Sequence, residues 1–139
     1  MTPIDLPPIS QLPWAVGHDR FLAAAKAITG EGACCLFVID ETIPASARSG
    51  YAALVIAYAR ANETVTILEG GAAALLIGDG GVKSGQVAAR RLLKLMSRLG
   101  LQDTLRAGVA PLSDGVDEAL AAARVLADGA PAGQVAVPS

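Results

Sequence analysis

The chain has 139 residues, 53% of them apolar and 17% charged, which is room for one domain with a sizeable core and too much hydrophobicity for a disordered tail. Eleven Lys and Arg against 13 Asp and Glu leave a net charge of −2, so there is no bulk attraction to nucleic acid or to an anionic membrane. Mean hydropathy is +0.47, yet Gly, Pro or charge interrupts every apolar segment before the roughly 20 residues a spanning helix needs, and no basic stretch leading into an apolar one opens the chain, so the expected address is the cytoplasm.

Four of the eight prolines stand in residues 1–17, around Ile4, Leu6, Ile9, Leu12 and Trp14, which predicts an extended N-terminal arm with Leu12 and Trp14 strapped across the body. The domain proper is expected over 18–139. Phe21, Leu22, Ala25 and Ile28 recur at helical spacing over 19–28, and Gly30-Glu31-Gly32 stops that helix. Residues 33–39 are continuously apolar up to Asp40, too uniform for a strand with one wet face, and are read as a central strand. Its adjacent Cys34 and Cys35 point to opposite faces, so they are expected as buried free thiols, and with His18 the only histidine no zinc site is assembled.

After Pro44, residues 46–61 carry Tyr51, Leu54, Val55 and Tyr58 at i, i+3, i+4 and i+7, a second helix packed on the sheet. Residues 64–68 and 72–77 are strand-length runs around Gly70-Gly71, a pair able to take the positive φ of a hairpin turn. A third helix covers 84–99 with Ala88, Ala89, Leu92, Leu95, Met96 and Leu99 on one face, closed by Gly100. A strand over 105–110, a helix over 116–127 and a short edge strand over 134–137 complete the chain. The order α-β-α-β-β-α-β-α-β predicts an α+β domain, a ferredoxin-like layout with additions, its mixed sheet of about five strands covered by helices on one face.

The hairpin, Leu-Glu-Gly-Gly-Ala-Ala-Ala-Leu-Leu-Ile over 68–77, resembles the signature of GGDEF domains, the diguanylate cyclase fold, in which Gly-Gly-Asp/Glu-Glu-Phe precedes an apolar strand. The resemblance runs along nearly the whole chain. Leu12 and Phe21 keep the spacing of the family's Leu-Thr-Gly-Leu-x-Asn-Arg-x-x-Phe element, and Phe37-Val-Ile-Asp40 resembles its first metal-carboxylate strand. The stretch 107–110, Ala-Gly-Val-Ala, resembles the Ser-x-Gly-x-Ala strand, and 119–137 the closing Ala-Asp-rich helix and Gly-x-x-x-Val strand.

What the resemblance implies about activity is undone at the residues that matter. Joining two GTP molecules needs divalent metal held by hard oxygen ligands, one from the first strand and one from the hairpin. Asp40 can stand for the first and is a vestigial metal candidate only, because Ala72, Ala73 and Ala74 occupy the Asp/Glu, Glu and Phe positions and a methyl group neither binds metal nor accepts a proton. Glu69 sits in the variable slot before the glycines, where turn residues are solvated. The segment 41–51 is shorter than the family's guanine-holding stretch and reads Gly50-Tyr51 in place of Gly-Asp, while Gly17 and His18 fall where Asn and Arg would lie; His18 is read as a cap or surface residue. No catalytic residue, no metal and no cofactor are expected.

Three further features bear on binding. Arg60-Ala-Asn-Glu63 is close to the family's Arg-x-x-Asp product-inhibition motif, so Arg60, Glu63, Gly70 and Gly71 form a candidate guanine-nucleotide site. Residues 78–84, Gly-Asp-Gly-Gly-Val-Lys-Ser, lie between strand and helix like a phosphate loop, but Val82 occupies the position of the glycine that precedes its Lys-Ser. Lys83, Arg90, Arg91, Lys94 and Arg98 span the third helix with no acid among them, a patch suited to an acidic protein partner and lacking the interleaved aromatics of a nucleic-acid site. The expectation is a degenerate, non-catalytic GGDEF-like regulatory module of bacterial signalling that acts by protein–protein binding or as a homo-oligomer. The alternative is a cyclic di-GMP or GTP sensor without cyclase activity. An enzyme of unrelated chemistry would need a constellation that Asp40, Glu69 and His18 do not assemble.

Overall fold

A computed structural model of the chain describes residues 16–58, 64–68, 72–101, 103–113 and 115–138. Among them, nine elements follow the expected order: α1 (His18–Ala27), β1 (Ala33–Ile39), α2 (Ala45–Tyr58), β2 (Thr64–Ile67), β3 (Ala73–Ile77), α3 (Gly81–Arg98), β4 (Leu105–Pro111), α4 (Val116–Gly129) and β5 (Val135–Ala136). The strands form one mixed α+β sheet in the order β2-β3-β1-β4-β5. β1 lies at its centre, antiparallel to both β3 and β4, and only β5 runs parallel to its neighbour β4.

The uniform apolarity of β1 follows from its position, because side chains alternate between faces and both faces are covered. Ala33, Cys35, Phe37 and Ile39 join a core with Ala52 and Val55 of α2 and Ala88, Ala89, Leu92, Leu93 and Met96 of α3. Cys34 and Leu36 point the other way, into a second core with Phe21 and Ala25 of α1 and Val116, Ala119 and Ala123 of α4. Helices therefore flank the sheet on two sides, not on one as the ferredoxin-like expectation had it: a second apolar face of β1, β3 and β4 needs its own cover. Cys34 and Cys35 are both buried with no disulfide between them, and the Cys35 thiol donates to the Gly85 carbonyl at 3.3 Å.

The β2–β3 register pairs Thr64 with Leu76 and Ile67 with Ala73, and Leu68 N–H donates to the Ala72 carbonyl at 2.8 Å beyond the last of these pairs. Gly70 and Gly71 themselves fall outside the described residues. At the far end of α3, Gly100 takes φ +76°, which lets Gly100 N–H reach the Ser97 carbonyl and Leu101 N–H the Met96 carbonyl, both at 3.0 Å; this double bond pattern is the helix stop that the glycine signalled. The start of α3 is three residues earlier than the apolar stripe suggested, since Gly81 N–H already has a partner in the Glu31 carbonyl at 2.8 Å.

One sheet edge has company. Val16 N–H donates to the Val65 carbonyl at 2.9 Å, and the buried Thr66 donates its hydroxyl to the Val16 carbonyl at 2.7 Å, so the chain just before α1 lies along β2. The other edge, β5, is only two residues long, which limits its capacity to pair with a foreign strand. No described helix is long and apolar enough to cross a membrane.

Candidate functional site

Asp40 leaves the end of β1, where its N–H donates to the Thr104 carbonyl at 2.8 Å. Its Oδ1 accepts both the Thr42 N–H and the Thr42 hydroxyl, each at 2.9 Å, a local turn that aims the carboxylate back over the strand end. Its Oδ2 accepts from Nη2 of Arg106 at 3.2 Å. The guanidinium comes from β4, where Arg106 is in register with Val38 next to the strand end. The Asp40 side chain is 12% exposed and that of Arg106 34%. Arg106 Nε is buried with no hydrogen-bond partner. The two Thr42 bonds hold the Asp40 carboxyl below the ordinary carboxylate range, Arg106 adds to the effect and burial opposes it. Asp40 is thus a carboxylate at neutral pH, already matched with a protein cation.

A cavity of about 490 Å³ opens here, with Asp40, Arg48, Ala72, Arg106, Arg124 and Asp128 among its walls. Arg48 ties the loop after β1 to α2, donating from Nε to the Ile43 carbonyl at 3.1 Å and from Nη2 to that of Glu41 at 3.4 Å. Arg124 and Asp128 of α4 pair at 3.5 Å, one helical turn apart. Ala72 brings the hairpin to the cavity, but as a methyl group. Ala73 and Ala74 are buried on opposite faces of β3, the first against α2 and α3, the second against α1 and α4.

A divalent cation at Asp40 would have to displace or face Arg106, and the adjoining wall of the hairpin supplies no oxygen ligand at Ala72. Among the described residues no group of three or more His, Cys, Asp or Glu gathers anywhere. The described residues do not gather the ligand set of a two-metal triphosphate centre.

Of the residues singled out in the sequence, the structure places Asp40 in this cavity and the basic set elsewhere. Lys83, Arg90, Lys94 and Arg98 are exposed along α3 and Arg91 is half-buried there; none lines the Asp40 cavity. His18 is exposed at the start of α1. The candidate nucleotide residues Arg60, Glu63, Gly70 and Gly71, and Glu69 with them, lie outside the described residues. Sequence reasoning missed Arg48, Arg106, Arg124 and Asp128. For Arg106 a signal existed: with Gly108 and Ala110 at the glycine and alanine of Ser-x-Gly-x-Ala, an arginine stands at the serine, a charge in an otherwise apolar central strand.

No family model and no curated protein matches the sequence. Solved structures do. A microbial GGDEF domain described in its interaction with cyclic di-GMP superposes with a TM-score of 0.58 at 14% identity, covering 86% of each chain. The GGDEF domain of a Pseudomonas aeruginosa protein, TpbB or YfiN, superposes with a TM-score of 0.57 at 19% identity, covering 86% of this chain and 84% of that one. The fold is that of a GGDEF domain. On the GGDEF frame the hairpin between β2 and β3 and the end of β1 meet at the cavity, and there this chain presents three carboxylates, Asp40, Glu41 and Asp128, against three guanidinium groups, with a methyl group from the hairpin.

Proposed function

We propose that this chain is a non-catalytic GGDEF-like regulatory module that acts in bacterial signalling by binding protein surfaces, those of a partner or of its own kind. The observation that carries this reading is the Asp40–Arg106 pair: the carboxylate that resembles the family's first metal ligand is neutralised by a guanidinium. Methyl groups at Ala72, Ala73 and Ala74 support it, because phosphoryl transfer needs anionic ligands and a base near the reacting phosphates. The exposed cations of α3, Lys83, Arg90, Lys94 and Arg98, supply a surface for an acidic partner. Incubation with GTP and Mg²⁺ or Mn²⁺, followed by chromatography of the nucleotides, tests the reading. No cyclic di-GMP is expected, and its formation would overturn the proposal.

A second reading, a sensor of cyclic di-GMP or GTP, is favoured by the three arginines around one cavity, since a guanidinium grips phosphate or guanine in a fork. It draws further support from the similar GGDEF domain described with cyclic di-GMP. Calorimetric titration with each nucleotide decides. Saturable heat that Arg106→Ser or Arg60→Ala abolishes establishes a sensor, and absence of heat at high ligand removes this reading.

A further inference from the structure

Two helices on opposite faces of the sheet carry charge patterns of the same spacing. On α3, Lys83, Val87, Arg90 and Lys94 follow at intervals of four, three and four residues, which aligns them in one stripe. All four are exposed, Val87 to 65%, and no acid occurs from 83 to 98. On α4, Asp117, Ala121, Arg124 and Asp128 repeat those intervals and are likewise exposed. In each stripe the outer charges lie about 16 Å apart, from the rise of about 1.5 Å per residue. Because α3 packs on the Phe37 face and α4 on the Leu36 face, the stripes look away from each other and cannot meet within one molecule.

We propose that α3 of one copy docks antiparallel on α4 of a second copy, with Lys83 opposite Asp128 and Lys94 opposite Asp117. The proposal rests on the reading of the chain as a module that acts by binding, and names the surface and its occupant. The antiparallel alignment places Arg90 over Ala121 and Val87 over the stem of Arg124, whereas a parallel one would set Arg90 against Arg124, two like charges. Ala121 and Ala122 are small and exposed, which permits close helix approach, and Val125, 72% exposed, extends the apolar part of the contact. Among the described residues no carboxylate pairs with Lys83, Arg90 or Lys94, so these cations are available. Asp128 already accepts from Arg124 and retains acceptor capacity for a second donor. The two stripes are different surfaces, so the contact is heterologous: a pair leaves one stripe of each sign open, and further copies add to it. A docked α3 also lies over Arg124 and Asp128, two walls of the Asp40 cavity.

Sedimentation velocity of the full chain over a range of concentration and salt tests this. Species larger than a dimer are expected to grow with concentration and to dissolve as salt rises. Lys83→Glu with Lys94→Glu, or Asp117→Lys with Asp128→Lys, each weaken association by about tenfold or more. Mixing the two variants restores it, which also shows that both are folded. Monomers under all conditions, association that ignores both reversals, or a mixture that stays monomeric overturns the docking. Each of these outcomes without cyclic di-GMP formation leaves the non-catalytic reading standing, while cyclic di-GMP formation overturns the reading itself whatever the assembly state.

Discussion

Arg106 changes what Asp40 can do. A carboxylate at the end of a central strand, facing a cavity, is a ready metal ligand; with a guanidinium at 3.2 Å and Thr42 on its other oxygen it is a spent one. Because its pKa is lowered in the folded chain, Asp40 binds protons less readily there than when unfolded. Its contribution to stability is therefore present above the unfolded value of about 3.9 and is lost as pH falls through the folded one. Carboxyl NMR titration is expected to find Asp40 ionising below the ordinary aspartate range, and Arg106→Ser is expected to move it upward without abolishing the shift, since the Thr42 bonds remain. Burial acts in the opposite sense on Cys34, pushing its thiol up to about 12. Neither Cys34 nor Cys35 should react with a thiol reagent such as DTNB at neutral pH until denaturant is added, and rapid labelling of the native chain would contradict their burial. Nothing in the apolar run 33–39 reveals Arg106 as the partner of Asp40: they are 66 residues apart, and only the β1–β4 register brings them together.

At the scale of elements, the tightest requirement sits where α4 crosses β4. A Cβ on Gly108 would run into the Ala123 carbonyl and the Ala127 N–H, backbone that cannot step aside without moving the helix. Gly108→Ala is expected to cost about 1–3 kcal/mol, measured by urea unfolding. A smaller effect is expected at the β2 edge: Thr66→Val leaves the Val16 carbonyl without its 2.7 Å partner and should cost about 1 kcal/mol, with faster proteolysis near residue 16. Of the residues expected on the inner face of α3, Ala88, Ala89, Leu92 and Met96 are buried, whereas Leu95 is half-buried and Leu99 is 49% exposed, and Leu93 is buried in addition. The first turn of α3 was not read from that pattern, because Val82 is the single apolar residue there between Gly81 and Lys83; it packs against the same core, and the turn is held by a long-range bond to Glu31. The last strand was read as 134–137 and its register on β4 covers Val135 and Ala136, preceded by bonds from the Gly133 N–H to the Leu105 carbonyl and from the Ala107 N–H to the Gln134 carbonyl.

For the whole molecule, the cover on both sheet faces leaves two outward helical surfaces of differing charge, and that difference makes a heterologous assembly possible at all. The same architecture brings the end of β1, the hairpin and α4 around one cavity whose carboxylates are matched by arginines, and among the described residues no three metal-ligating side chains gather. Millimolar Mg²⁺ or Mn²⁺ is accordingly expected to leave Tm unchanged by scanning fluorimetry, since a cation that binds only the native state would raise it. Element order, the central strand, the buried thiols and the antiparallel pair β2–β3 were legible in the sequence because each follows from local chemistry: apolar period, turn-forming glycine, and strand alternation. Those patterns also supported a resemblance to the GGDEF fold, which the superpositions bear out. The tertiary structure alone decided the double cover of the sheet, the neutralisation of Asp40 by Arg106, and the company of Arg48, Arg124 and Asp128. Contacts between residues far apart in the chain depend on register and packing across several elements, and no local pattern encodes them.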